Sequence, residues 1–317
     1  MESMPLQPSP PGPRTPACTR RSWPRGAALA LVAALAAGAQ ARAAISSMDL
    51  WEKTFRSELV VRATVLDGDD RLARMKVDEV LKGSYAGEQL KIVFRAANFT
   101  RKTWEGKIVF QAGQHLVLFL DRYRKNGVLQ ADDHFELFRG SNGREEVPSE
   151  GEDAYLQAIR KFVTIQGESS QLARWDASRA LLSETNPFLV EAGFEQVLKF
   201  RLANAGLVPV LLGHLDSETV AFRQKAVRCF AQVFESTSRE AGDLPTEDHI
   251  RDLLLNKAMK DPSVDVRIES IKALGAWQDH DLAASFRAIA EQDPSQAVRY
   301  EAERAIYELQ SSSPNER

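Results

Sequence analysis

The sequence predicts a multidomain α and β chain, with a small β-barrel of five or six strands followed by an α-solenoid of about four helix pairs. Three observations predict this architecture. The 317 residues suffice for about two ordinary domains. Residues 46–139 are rich in β-branched and aromatic residues separated by turn residues, which is typical of strands. Residues 153–310 repeat an apolar pattern of helical period.

The first 43 residues have the composition of an export signal. A cationic region with Arg20, Arg21 and Arg25 precedes the apolar run Gly26 to Gly38, and Ala41-Arg42-Ala43 offers the small-x-small pattern of a cleavage site. The run of 13 residues is shorter than the roughly 20 that a membrane-spanning helix needs. We therefore expect a signal peptide at 1–43 and a periplasmic or extracellular protein with no stable membrane span after cleavage. Whether export follows the general or the twin-arginine route stays open.

Cleavage after Ala43 would make the chain clearly acidic. The predicted signal carries five Arg and one Glu, a net charge of +4, so its removal changes the net charge from −3 to −7. An acidic chain is a poor ligand for the nucleic-acid backbone, and we expect no nucleic-acid partner. Only Cys229 remains after cleavage, which excludes an intramolecular disulfide.

Residues 44–139 contain the predicted barrel. A short helix is expected from Ser46 to Arg56, and Asp67-Gly68-Asp69-Asp70 reads as a hairpin turn. The predicted strands are Leu59 to Val65, Arg71 to Val80, Gln89 to Phe94, His115 to Leu120, Val128 to Gln130 and His134 to Phe138. Five or six such strands suit a small barrel, and the Gly, Pro, Ser and Glu of 140–151 suggest a polar linker after it.

The order of the barrel segments resembles the TIMP-like or netrin-like OB-fold of exported bacterial proteins. The matching pieces are a helix, SELVVRATV, RMKVDEVLKG and the late strand GQHLVLFLD, with Leu81-Lys82-Gly83 and Gly113-Gln114-His115 as the most local marks. In the inhibitor members of that family an amino-terminal cysteine chelates the zinc of a protease. Ala44 stands at the predicted mature start here, so the resemblance does not extend to metalloprotease inhibition.

The carboxyl-terminal half contains an internal repeat. The segment DPSVDVR at 261–267 recurs as DPSQAVR at 293–299, an offset of 32 residues. With the last Arg as origin, four segments align, at Arg174, Arg223, Arg267 and Arg299. Small residues stand three and six places after each origin and a large apolar residue seven places after it, which forms one apolar stripe on a helix.

A second helix is expected before each of these segments, at Asp153 to Gln166, Ala205 to His214, Thr246 to Met259 and Asp279 to Glu291. Stacked pairs of such helices form a solenoid, placed at 152–311, with a disordered tail at 312–317.

These helix pairs resemble HEAT repeats, the armadillo-like helical family. In that family an Asp in the turn within a repeat and an Arg six places later form a ladder between adjacent units. The resemblance implies ladder positions at Asp261 and Arg267, Asp293 and Arg299, Glu168 and Arg174, and Asp216 and Arg223, the last pair at a spacing of seven. Offsets of 49 and 44 residues between the first origins place an extra helix at about Glu184 to Asn204 and a loop at about Glu235 to Pro245.

No catalytic pattern emerges from the sequence. The five His share no metal-ligand spacing, and HExxH, GxSxG, GxGxxG and GxxxxGK[ST] are all missing. Cys229 occupies a small-residue position of the repeat, where we expect it to be buried and inert. We therefore expect no enzymatic activity, no metal and no cofactor.

A basic row with aromatic neighbours is the candidate binding surface. Five places after the origins stand Arg179, Arg228, Lys272 and Arg304, and near them stand Trp175, Tyr300 and Tyr307. Arg, Trp and Tyr often anchor interfaces, so this row could bind an acidic segment of a protein partner. The alternative is an ordinary solvated helix face whose bases are balanced by Asp176, Glu269 and Glu301.

The expected function is an exported, non-catalytic protein-interaction scaffold. Two alternatives stay open. Some HEAT-like proteins are lyases that attach bilins to phycobiliproteins, although their substrate is intracellular and conflicts with export. The barrel could instead bind a carbohydrate or a nucleotide, as OB-folds do.

Overall fold

The computed structural model describes residues 49–69, 71–93, 110–147, 151–237, 247–277 and 279–311. Within these ranges the chain forms eight strands and ten α-helices. The predicted signal peptide and the predicted tail lie outside the described residues, as does most of the predicted loop Glu235 to Pro245.

Five strands close into a barrel. The strands are β1 (Leu59–Gly68), β2 (Leu72–Lys82), β3 (Gln89–Val93), β4 (His115–Arg122), β5 (Arg124–Lys125), β6 (Val128–Leu129), β7 (His134–Leu137) and β8 (Arg144–Glu146). The sheet runs in the order β1-β2-β3-β7-β4, and β4 closes it by pairing with β1. The β3–β7 pair is parallel and the other barrel pairs are antiparallel. The predicted OB-like barrel is thus confirmed, although the strand expected from Val128 belongs to a separate ribbon of β5 and β6.

The barrel core contains alternate residues of its strands. Val61, Ala63 and Val65 of β1 face the interior, where they pack with the apolar side chains of the other four strands. The intervening Val60 is also fully buried, because helices cover that side of β1. Burial on both faces explains why β1 and β4 contain continuous apolar runs.

The helices form the predicted tandem array. They are α1 (Leu50–Arg56), α2 (Glu152–Gln166), α3 (Gln171–Ala180), α4 (Pro187–Phe200), α5 (Val208–Leu215), α6 (Val220–Thr237), α7 (Glu247–Lys260), α8 (Val264–Ala276), α9 (Ala283–Gln292) and α10 (Gln296–Ser311). The four origin arginines lie on α3, α6, α8 and α10. The array and its first helices are as predicted, and α4 is the extra helix. Asn186 begins α4 by accepting a hydrogen bond from the N–H of Phe188, and Pro187 occupies its first turn.

Adjacent repeats pack through the small-residue positions. Helix α6 packs on α8, and α8 packs on α10. Ala226, Cys229, Ala273 and Ala305 are all buried at these contacts. Burial raises the pKa of the Cys229 thiol to about 12, so the thiol stays protonated at neutral pH.

The segment predicted to be a linker belongs partly to the sheet. Gly140–Gly143 forms a 3-10 turn, and β8 pairs antiparallel with β4. The sequence did not predict β8 as a strand because its residues are polar. Their side chains have ionic and hydrogen-bonding partners instead of apolar contacts. Glu145 accepts hydrogen bonds from Lys53 of α1 and from the hydroxyl of Tyr155 of α2. The prediction of a linker was therefore wrong at 140–146.

Helix α2 contributes to two hydrophobic cores. Tyr155, Leu156 and Ile159 pack with barrel residues such as Phe119. Other α2 residues, including Phe162, pack with the following helices. The barrel and the first repeat are consequently joined by a shared apolar interior.

Lys82 fixes α1 against the barrel. Its Nζ donates hydrogen bonds to the carbonyl oxygens of Thr54, Phe55 and Ser57 at 2.6, 2.8 and 2.8 Å. These are carbonyls at the end of α1 that lack helical partners. Burial lowers the pKa of this lysine, yet the three acceptors hold the ammonium in place.

Gly143 is expected to tolerate no side chain. A Cβ there would lie 2.6 Å from the backbone nitrogen of Phe138 and 2.7 Å from the carbonyl oxygen of Phe119. Because these are backbone atoms of the sheet, Gly143→Ala should lower the free energy of unfolding by about 1–3 kcal/mol. Urea denaturation would measure it.

Gly213→Ala is the matched control, since among the described residues its added Cβ would meet no atom within 4 Å apart from its chain neighbours and the backbone of helix α5 itself. This control should be neutral or slightly stabilising. Equal unfolding midpoints for the two variants would contradict the tight approach at Gly143.

Candidate binding cleft

Two buried ion pairs link successive repeats. Arg223 Nε and Nη2 donate to the two carboxylate oxygens of Asp261 at 2.9 and 3.0 Å. Arg267 binds Asp293 in the same way at 2.8 and 3.0 Å. Arg267 also donates to the carbonyl oxygen of Asp261 at 2.9 Å, so its guanidinium connects two consecutive turns. Arg299 makes the equivalent bond to the carbonyl oxygen of Asp293 at 2.7 Å.

Asp261 of the ladder is ionised at neutral pH. Burial alone would raise the pKa of Asp261, but hydrogen bonds from Arg223 and from the N–H of Ser263 outweigh it, and the pKa is lowered. A lowered pKa means that the ionised carboxylate stabilises the fold above the ordinary aspartate range. This contribution is lost as the pH falls through the lowered value.

The ladder does not extend to the first repeat. Asp216 is exposed and pairs with Lys257 at 3.0 Å, and Glu168 is exposed. Helix α4 packs against both α3 and α6, so it occupies the place where the next turn would meet Arg174. Among the described residues, the buried Nε of Arg174 has no hydrogen-bond partner.

The predicted basic row is present on three helices. Arg228, Lys272 and Arg304 are exposed at equivalent positions of α6, α8 and α10, and Tyr300 and Tyr307 are 65% and 72% exposed. The acids proposed as balancing charges do contact the row. The pairs are Arg179 with Asp176, Lys272 with Glu269 at 3.2 Å, and Arg304 with Glu301 at 2.7 Å. In the described part of the chain, Arg228 makes no ion pair.

Trp175 lies apart from this row, in a cleft of about 310 Å³. The cleft is bounded by α1, α3, α4 and the end of α2. Its aromatic lining residues are Trp51, Phe55, Trp175 and Phe200, and its basic lining residues are Arg56, Arg174 and Lys199. Glu52 is its acidic lining residue, and it pairs with Arg56 at 2.5 Å.

Local packing fixes the walls of the cleft. The indole of Trp51 meets Phe162 edge-on with ring centroids 5.2 Å apart, and its carbonyl oxygen accepts a hydrogen bond from Gln166 Nε2 at 3.1 Å. Helix α3, which carries Arg174, begins at Ser170, whose hydroxyl accepts from the N–H of Ala173. Trp51 and the start of α3 are therefore held in place by packing and hydrogen bonds.

Three polar atoms that belong to lining residues of this cleft are unsatisfied. Among the described residues, Arg174 Nε, Trp175 Nε1 and Gln166 Oε1 are buried and make no hydrogen bond. Two of these atoms are donors. Buried polar atoms without a hydrogen-bond partner are rare in folded proteins. A ligand that accepts hydrogen bonds would satisfy the two donors.

Sequence reasoning did not find the cleft. Trp51 and Phe55 fall within the short helix expected from Ser46 to Arg56 without a predicted role, and Arg174 is predicted only as a ladder residue. One signal was available, namely the spacing of seven at Asp216, which departs from the ladder pattern next to the inserted helix.

Two further features bear on function. No group of three His, Cys, Asp or Glu side chains within the described ranges is arranged to hold a metal ion. None of the described helices combines the length and apolar character that crossing a membrane requires.

Comparison with known families finds a similarity in the last two helix pairs. Residues 250–315 match HEAT repeats. The HEAT-repeat segment covers α7 to α10 and contains both acidic residues of the buried rungs. It amounts to about a fifth of the chain. A search of curated proteins found no match to the chain.

Proposed function

We propose that the protein is a non-catalytic interaction scaffold whose helices α6, α8 and α10 bind an acidic segment of a protein partner. One observation carries the proposal. Arg228, Lys272 and Arg304 occupy equivalent exposed positions on three helices that buried Asp–Arg pairs hold together. The HEAT-repeat segment supports it, because stacked helical repeats offer extended binding surfaces.

The ion pairs along the row leave room for a partner. Lys272 and Arg304 pair with acids one turn away on their own helices, and all of these bases are exposed. The side chains of Lys272 and Arg304 are 40% and 46% exposed, whereas those of Glu269 and Glu301 are only 19% and 9% exposed, so the carboxylates of a partner can approach the exposed side of each base. Tyr300 and Tyr307 lie one turn either side of Arg304 and supply aromatic anchors.

The place of action and the type of barrel are part of the same proposal. Export rests on the apolar run Gly26 to Gly38 and the small residues before Ala44. Assignment of the barrel to the TIMP-like group rests on the order of its segments, and the OB-like strand order supports it.

Charge reversal on the row should weaken binding of the partner. A photo-crosslinking residue in place of Tyr300 would capture the partner in cells, and mass spectrometry would identify it. The purified partner would then be titrated against Arg228→Glu with Lys272→Glu. We expect its dissociation constant to rise by at least about tenfold, because two favourable contacts become repulsive.

The matched control is Lys260→Glu with Arg287→Glu, which changes the net charge equally at exposed positions of α7 and α9. It should alter the dissociation constant by less than about twofold. Equal weakening by both double variants would reduce the effect to net charge and contradict a specific row.

A further inference from the structure

We propose that the cleft between α1, α3 and α4 binds a small organic oxyanion, a carboxylate or phosphate on an aromatic or apolar body. This site is separate from the proposed protein-binding row. Its volume of about 310 Å³ lies at the lower end of small-molecule sites, which are about 300–1,000 Å³. The cleft therefore suits a small molecule better than a protein segment.

The charge of the cleft favours an anion. Its three basic lining residues face a single lining acid, and Glu52 is already paired with Arg56. Arg174 has no ion pair among the described residues, and Lys199 lies over the ring of Phe200 at 5.6 Å, without a paired carboxylate in the same part of the structure. An unpaired guanidinium in a concave site is the group best suited to bind two oxygens of one anion.

The unsatisfied donors place the anionic group at one wall. Arg174 Nε and Trp175 Nε1 belong to consecutive residues of α3, and both atoms are buried without an acceptor. The ladder geometry explains why Arg174 has no carboxylate partner. Helix α4 packs between α3 and α6 and separates Arg174 from the turn that contains Asp216. An oxyanion of the ligand would accept from both donors at once.

The aromatic lining favours an apolar body attached to that anion. Phe55 and Phe200 both line the cleft and are 52% and 47% exposed, so the cleft presents apolar surface to solvent. Trp51 and Trp175 complete the aromatic lining. A flat or apolar ligand would cover these rings while its oxyanion reaches Arg174.

Isothermal titration of the full chain would test the proposal. The probes are indole-3-acetate, phenyl phosphate and the uncharged indole-3-acetamide. We expect saturable one-to-one binding of at least one of the two anions, at least about tenfold tighter than the amide. Tighter binding of the acetate would identify a carboxylate site, and tighter binding of the phosphate would identify a phosphate site.

Variants would localise the binding. Arg174→Met should weaken binding of the preferred anion at least about tenfold, and Arg174→Lys should restore part of it. Arg179→Met on the same helix is the matched control and should leave the affinity unchanged. Trp175→Phe removes the indole donor and keeps an aromatic ring, so the fold should be preserved. It should also weaken binding of the preferred anion. The proposal is overturned if neither anion binds up to its solubility limit, or if Arg174→Met and Arg179→Met bind equally well.

Discussion

Replacing Arg267 by alanine should lower the free energy of unfolding by about 3–5 kcal/mol, the usual effect of breaking a buried ion pair. The guanidinium of Arg267 is the only counter-charge that the described structure gives to Asp293, whose side chain is 4% exposed. Removing it leaves a buried carboxylate with no counter-charge and only the N–H of Ser295 as a donor, and it also frees the carbonyl of Asp261. Urea denaturation followed by far-UV circular dichroism would measure the loss.

Arg299→Ala provides a control at the same position of the repeat. Arg299 donates to the carbonyl oxygen of Asp293 but binds no carboxylate within the described residues. Its replacement removes one hydrogen bond and should lower the free energy of unfolding by only about 1 kcal/mol. Equal losses for the two variants would show that the ladder carboxylates do not determine the stability of the array.

Phe194→Ala should destabilise the protein by about 3–5 kcal/mol, since it removes a fully buried aromatic ring. Phe194 lies on α4 and contacts the rings of His214 and Phe222, with centroids 5.0 and 5.9 Å away. These contacts make the inserted helix a full layer of the array. The same denaturation experiment would test this.

Phe200→Ala removes the same side chain from the same helix at a position that is 47% exposed. We expect it to change the free energy of unfolding by less than about 1 kcal/mol, in line with its partial exposure. If Phe194→Ala were equally mild, α4 would be an appended helix and the separation of Arg174 from the ladder would lose its explanation.

The array was predictable because its information is local. Each origin arginine is followed by the same small and large residues, and this pattern fixes which face of α6, α8 and α10 is buried. The same alignment located the exposed row. It misplaced Trp175, because α3 packs on α4 rather than on α6, and only the inserted layer decides that.

The cleft and β8 could not be derived in this way. Trp51 and Phe200 are 149 positions apart in the sequence. Both line the cleft because α1 packs on α4. Strand β8 has no apolar alternation, because the partly exposed Glu145 is held by its bonds to Lys53 and Tyr155. Both features depend on contacts between distant residues, which leave no period in the sequence.

The shared interior around α2 limits how this protein can be recombined. Grafting the helices onto another domain would expose Tyr155, Leu156 and Ile159 to solvent. A replacement barrel would have to offer an apolar surface shaped for these three side chains, together with a counterpart of Glu145 for the Tyr155 hydroxyl. The barrel and the helical array are therefore not interchangeable modules. A chimaeric protein would have to keep the residues of both sides that pack at this boundary.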